Sequence, residues 1–245
     1  YYWTPIVVFH NSHCSTFKYS NPQVPEYSIH DIARIGSSKK KLAVMVERNA
    51  FGLSEIPEDI ELTEIQTNQI QVHTTQRPII DVDKIRNELQ ALVFPLYFLD
   101  YETFAPAIPM FNGYRPYNRI PFQFSLHILR DPSGELEHIE YLHKERSDPS
   151  RPLAELLVKH IPSEGTVISW NKSFEQGVNR ELALRQPEYA EALERINTQM
   201  YDLQDIFRKQ FYVHPEFRGK TSVKKVLPAL VPGTHHADLN IKEGG

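Results

Sequence analysis

The run Leu96-Tyr97-Phe98-Leu99-Asp100-Tyr101-Glu102-Thr103 constrains the fold of this chain more than any other stretch. Phe94-Pro95-Leu96-Tyr97-Phe98-Leu99 is nearly continuous apolar sequence, the pattern of a central strand buried on both faces. Open α/β sheets hold their ligands at strand ends, and this strand ends in two acids. Side chains alternate along a strand, so Asp100 and Glu102 project from the same face. Two neighbouring carboxylates repel unless a cation lies between them. The pattern predicts either a Mg²⁺ or Mn²⁺ site or, as the simpler alternative, a strand that runs out into a polar turn.

The 245 residues, 40% hydrophobic, suffice for one large domain or for one domain with a smaller appendage. No apolar run is long enough to cross a bilayer and no signal peptide is present, so a soluble, cytoplasmic protein is expected. The single Cys14 cannot form an internal disulfide. His10, His13 and Cys14 fall short of the ligand count of a zinc or iron–sulfur site. A formal net charge of -4 excludes a surface coated in positive charge but leaves room for a local basic groove. The abrupt start at Tyr1-Tyr2-Trp3 and the turn-like close at Lys242-Glu243-Gly244-Gly245 suggest an excerpt of a longer protein.

Helical spacing begins at Ser28 with Ile29, Ile32, Ala33 and Ile35, and continues with Leu42, Val44, Met45 and Val46 after the basic run Lys39-Lys40-Lys41. Gly52 and Pro57 punctuate a short helix, and Leu62 to Ile70 suggest another. Residues 1–80 therefore read as a helical N-terminal segment, with polar sequence around 74–78 as a linker. Residues 81–245 read as an α/β domain. Its first helix, 83–92, leads into the acidic strand, and a long loop follows at 104–119. The aromatics Phe104, Phe111, Tyr114 and Tyr117 of that loop either stack on bases or pack the loop down. Strands at 121–129 and 138–142 flank the turn Asp131-Pro132-Ser133-Gly134, then come a helix at 152–160 and a strand at 166–170. Three meandering strands, a helix and another strand predict an α/β fold with a ribonuclease-H-like mixed sheet flanked by helices.

A second constellation follows that strand, at Trp170-Asn171-Lys172-Ser173-Phe174-Glu175. Asn171 is placed to cap the next helix with its side-chain oxygen, and Glu175 falls in the first turn. Glu175 either joins Asp100 and Glu102 around a metal or reaches back to the helix start as a capping box. Asp202 reads as the N-cap of a helix over 203–210. Positive charge gathers at Arg218, Lys220, Lys224 and Lys225, with Ser222 at a helix start able to hold an anion. With Lys172, the residues Arg218, Lys220, Ser222 and Lys224 are the candidate phosphate contacts; solvated loop positions are the alternative.

Asp100-x-Glu102 on a first strand, followed by Asn171-x-x-Phe174-Glu175 opening a helix, resembles the first two motifs of the DnaQ-like, DEDD-type 3′–5′ exonucleases. That superfamily usually has Asn-x-x-Phe-Asp, so Glu175 keeps the charge on a longer arm. Tyr201-Asp202-Leu203 and the stretch from Ser222 to Leu227 look like the superfamily's later helices. Tyr97 to Glu102, Arg115-Pro116-Tyr117, Ile120 to His127, Trp170 to Glu175 and Ser222 to Leu230 together resemble the bacterial family called domain of unknown function 2779. Upstream, the helical segment is similar to one that follows a RecB-like nuclease region in such proteins.

The resemblance implies hydrolysis of nucleic-acid phosphodiester bonds from a 3′ end with two Mg²⁺ or Mn²⁺ ions. It implies that Asp100 bridges the ions, that Glu102 and Glu175 hold one or both, and that Asn171 and Asp202 support them. The partner would be DNA or RNA with a single-stranded end, and no membrane. A fourth acid is expected; Asp238 after His235-His236 is the late candidate within the chain, and the family pattern places this acid beyond Gly245. Two alternatives stay open: a catalytically inactive nucleic-acid- or protein-binding module of the same fold, and a structure-specific endonuclease.

Overall fold

The structure is a computed structural model that describes residues 16–37 and 39–233. His10, His13, Cys14 and Asp238 lie outside the described residues. The described chain divides into two compact units, one of residues 16–82 with 207–233 and one of residues 83–206.

The first unit opens with helices α1 (Phe17–Ser20), α2 (Lys39–Glu47) and α3 (Glu64–Thr75), followed by strand β1 (Ile79–Ile80). Phe17, Ile29, Ile32, Ile35, Leu42 and Met45 form its core. The helix expected from Ser28 onward is instead a pair of 3₁₀ turns, Ile29–Asp31 and Ile35–Ser37. Ile32 between the two turns is extended, with φ -62° and ψ 130°, and this break stops a continuous helix from forming over the three isoleucines. Ser28 starts the first turn by accepting from the His30 N–H, while its own N–H donates to the Asp31 carboxylate at 3.0 Å. The buried Gln66 and Gln69 of α3 satisfy the backbone of Ala33, at 3.0 Å to its carbonyl and 2.8 Å from its N–H.

The second unit begins with α4 (Val82–Gln90), then β2 (Leu96–Phe104), β3 (Ile120–Leu129), β4 (Leu136–Leu142) and α5 (Ser150–His160). It continues through β5 (Thr166–Ser169), α6 (Ser173–Arg185), α7 (Ala190–Thr198), β6 (Met200–Asp202) and the single turn α8 (Asp205–Arg208). The strands form one five-stranded mixed sheet in the order β4-β3-β2-β5-β6. β2, β3 and β4 are mutually antiparallel neighbours, whereas β2 with β5 and β5 with β6 are parallel. Tyr97, Leu99 and Tyr101 of β2 share a core with Phe124 and Leu126 of β3, and with Leu153, Leu157, Val178, Leu182 and Leu193 from α5, α6 and α7. The intervening Phe98, Asp100 and Glu102 occupy the other face, where Phe98 is only half-buried and Asp100 is exposed. The central strand is thus fully buried on one face, and its second face opens toward the acids.

Gly165 sets the closest backbone approach in this sheet. It has φ +98°, and a Cβ there would lie 2.3 Å from the Pro95 carbonyl oxygen and 2.7 Å from the Tyr97 ring. Gly165→Ala is expected to lower stability by about 2–3 kcal/mol, read as an earlier urea midpoint with an unchanged slope.

Residues 207–233 return to the first unit. There β7 (Tyr212–Val213) pairs antiparallel with β1, and the 3₁₀ turn Pro215–Phe217 leads to α9 (Val223–Leu230). Among the described residues no helix is long and apolar enough to cross a membrane.

Candidate functional site

Asp100 and Glu102 stand opposite Ser125 and Gln123 of β3, on the face of β2 away from the core. β2 does not end at the acids as expected but continues to Phe104, so Asp100 opens to solvent from mid-strand. The protein around the Asp100 carboxyl raises its pKa, and the charge of Glu102 raises it further.

The third acid depends on the turn between β5 and α6. Asn171 has φ +69°, a left-handed conformation that Asn tolerates better than most residues. Its side chain does not cap α6 as expected; its Oδ1 accepts from the Ser173 hydroxyl at 2.8 Å. The free backbone donors of the turn go elsewhere. The N–H groups of Asn171 and Lys172 donate to the two carboxylate oxygens of Asp202, at 2.9 and 3.1 Å, and the Gln204 N–H donates to Asp202 Oδ1 at 3.1 Å. Asp202, expected as a simple helix cap, is the buried last residue of β6 and anchors the turn leaving the neighbouring strand. The helix expected over 203–210 is correspondingly reduced to α8.

That anchored turn delivers Glu175 into the first turn of α6, 3% exposed. It makes no bond back to the helix start, and its Oε2 is buried without a hydrogen-bond partner, as is the neighbouring Ser169 Oγ. Burial pushes the Glu175 carboxyl up to about 7, and the charges of Asp100 and Asp202 act in the same direction. Its own backbone N–H and the nearby Ser169 hydroxyl, which falls short of hydrogen-bond geometry, offset only part of this.

Beside it runs a polar chain that periodicity does not reveal. The Tyr101 hydroxyl donates to Asn179 Oδ1 at 2.6 Å, Asn179 Nδ2 donates to Asn197 Oδ1 at 2.9 Å, and Asn197 Nδ2 donates to Glu194 at 3.1 Å. Burial, then the charge of Glu175, raises the Tyr101 phenol well above its ordinary range, which keeps it a donor. This chain fixes α6 against β2 and α7, and so fixes Glu175 relative to Asp100. Asn179 lies four residues after Glu175 on one helix face, the single signal in the sequence that could have marked it.

Asp100, Glu102, Glu175, Asn171, Asp202 and Lys172 therefore share one unit, whereas Arg218, Lys220, Ser222 and Lys224 belong to the other. Arg218 is already engaged there, with its guanidinium 5.3 Å from the Tyr27 ring centre. Lys220, Ser222 and Lys224 are exposed, and Ser222 occupies the N-cap position of α9 without a side-chain bond. Of the loop aromatics, Tyr117 is exposed, while Tyr114 packs the loop down. The Tyr114 hydroxyl donates to Asp148 at 3.0 Å, and Arg185 lies 3.3 Å over its ring. Burial, then Asp148, pushes this phenol up to about 12.

The acids suit a hard divalent cation in chemistry, since they offer carboxylate oxygens and one buried acceptor without a partner. They interact pairwise, Asp100 with Glu102 and Asp100 with Glu175. Among the described residues no group of three or more His, Cys, Asp or Glu side chains is placed to hold a metal ion.

Residues 97–222 match the family described as Domain of unknown function (DUF2779), and the chain belongs to it. The matched region includes the acidic strand, the Asn171–Glu175 turn and Asp202. The uncharacterized protein UU173 of Ureaplasma parvum is 28% identical over 207 residues, which cover 78% of this chain and 30% of that protein. The chain thus spans about a third of that relative's length, 30%. No solved structure matches the chain.

Proposed function

We propose that this chain carries a metal-dependent nuclease of the DnaQ-like, DEDD type, which hydrolyses nucleic-acid phosphodiester bonds from a 3′ end. The observation that carries this reading is Glu175: a buried carboxyl with an unpartnered oxygen, held beside Asp100, which in turn stands beside Glu102. A buried carboxylate oxygen without a partner is costly, and such costs persist where a ligand relieves them. The sheet order β4-β3-β2-β5-β6, antiparallel then parallel, supports a ribonuclease-H-like fold with the acids on the open face of its central strand.

In this reading Asp100, Glu102 and Glu175 would hold Mg²⁺ or Mn²⁺, with Asp100 shared by the two pairs. When bound, such ions supply activation of the attacking water and stabilisation of the leaving oxygen. Asp202 positions the turn that carries Glu175, and the Tyr101–Asn179–Asn197 chain keeps α6 from shifting. Lys172, at the N-cap of α6, is the basic residue nearest in sequence to Glu175 and offers a phosphate contact.

A second reading, a binding module of the same fold without catalysis, is favoured by the pairwise arrangement of the acids. Incubation of the chain with 3′- and 5′-labelled single strands in Mn²⁺ separates the readings. The expected result is shortening from the 3′ end that Asp100→Ala reduces by about 10²–10³-fold. Strand binding without cleavage would favour the module, internal cuts in a closed circle would indicate an endonuclease, and cleavage indifferent to Asp100→Ala would overturn the assignment of the acids.

A further inference from the structure

Two residues beyond Glu102, β2 ends at Phe104, about 7 Å further along the strand. There the second unit opens a cavity of about 710 Å³, within the usual range of small-molecule sites. Phe104 and Phe122 stand in its wall with ring centres 5.8 Å apart, joined by Met110 and Phe111 of the long loop. His143 is a fixed part of the lining, bonded at one ring nitrogen to the Tyr141 hydroxyl (2.8 Å) and at the other to the Ser147 carbonyl (3.0 Å). Arg146 is different. It also lines the cavity, is exposed, and makes no hydrogen bond or ion pair among the described residues, whereas the lining acid Glu145 is engaged by the Ser147 hydroxyl at 3.3 Å.

Flat aromatic and thioether walls select a flat, polarisable ligand, because such a ring packs on them with little polar surface to desolvate. An unpaired guanidinium beside them selects an anion, most strongly one with several oxygens. The ligand class that carries a flat ring and a phosphate together is a nucleotide. We infer that this cavity is a nucleotide subsite, which receives an unpaired base of the substrate strand against Phe104 and Phe111 and pairs its phosphate with Arg146. The inference rests on the nuclease reading for the source of the strand, and on the cavity alone for the chemistry of recognition.

The test is fluorescence anisotropy of a labelled single-stranded oligothymidylate with the chain in EDTA, where metal-dependent cleavage is blocked. Phe111→Ala and Arg146→Gln are each expected to weaken binding about tenfold, and Arg146→Gln to lower the salt slope by about one. Arg146 is exposed, so its substitution leaves folding intact. Binding within twofold of the unsubstituted chain for both variants would overturn the subsite, as would failure of the unsubstituted chain to bind the strand. The two readings fail separately. Cleavage that needs Asp100, with binding indifferent to both cavity variants, sinks the subsite alone. Binding that needs Phe111 and Arg146, with no Asp100-dependent cleavage, sinks the nuclease alone.

Discussion

Glu175→Gln is expected to make the metal-free protein more stable at pH 8 by about 2–3 kcal/mol, and no more stable at pH 4. The Glu175 carboxyl is held up at about 7 in the folded protein, against the ordinary glutamate value of 4.5. Below 4.5 both folded and unfolded chains carry the proton, so the residue exerts no pH-dependent pull. Between 4.5 and about 7 the unfolded chain releases its proton while the folded chain keeps it. Stability therefore falls as pH rises through this window, by up to about 1.4 kcal/mol per unit, and the loss is complete above the folded pKa. Glutamine has the same shape and no charge to bury, so it removes the slope. For a protein of this size the gain at pH 8 should raise the melting temperature by about 5–10 °C. A melting profile for Glu175→Gln parallel to that of the unsubstituted chain from pH 4 to 8 would show that the carboxyl is not buried as described.

The same residue separates a metal site from a merely strained one. A cation bound by a carboxylate stabilises its ionised form and the folded state with it. Mn²⁺ at pH 8 is then expected to raise the melting temperature of the unsubstituted chain and to have little effect on Glu175→Gln. Equal shifts in both would place the ion elsewhere.

Much of the sheet is legible in the sequence because its strands are long enough to show their period. From Phe124 onward β3 alternates between the core positions Phe124, Leu126 and Ile128 and the intervening Ser125 and His127. The apolar approach to Asp100 identifies β2, and Asp-Pro-Ser-Gly marks the turn between β3 and β4. What escapes is what depends on contacts between distant residues. β1 and β7 have two residues each, too short for any alternation, and they pair across 132 to 134 positions. A three-residue spacing of isoleucines fits either kind of helix over so short a span. Asn171 carries the composition of a helix cap but adopts a left-handed backbone, because the carboxylate that satisfies its N–H belongs to Asp202, 31 residues later. Asp100, Glu102 and Glu175 could be singled out as charge in apolar surroundings. The Tyr101–Asn179–Asn197 chain could not as a whole, since apart from the spacing of Asn179 from Glu175 each member is an ordinary residue until three elements bring them together.

Asp202 carries the second large effect. Its two oxygens accept from three backbone N–H groups, and it is 2% exposed. Asp202→Asn leaves one carbonyl oxygen to accept and turns an amide NH₂ toward a backbone donor, so at least one buried N–H loses its partner. The expected cost is about 2–4 kcal/mol, seen in urea unfolding at pH 8. The charge of Asp202 also helps to raise the Glu175 pKa. Removing it should lower that pKa, flatten the slope between pH 4.5 and 7, and make the double substitution with Glu175→Gln less than additive. A residue that merely held the fold would shift stability equally at every pH. If Asp202 positions Glu175 for a cation, Asp202→Asn should also weaken the Mn²⁺ response of the melting temperature by about 10–100-fold in concentration. A uniform loss of stability with an unchanged Mn²⁺ midpoint would reduce Asp202 to an anchor of the strand ends.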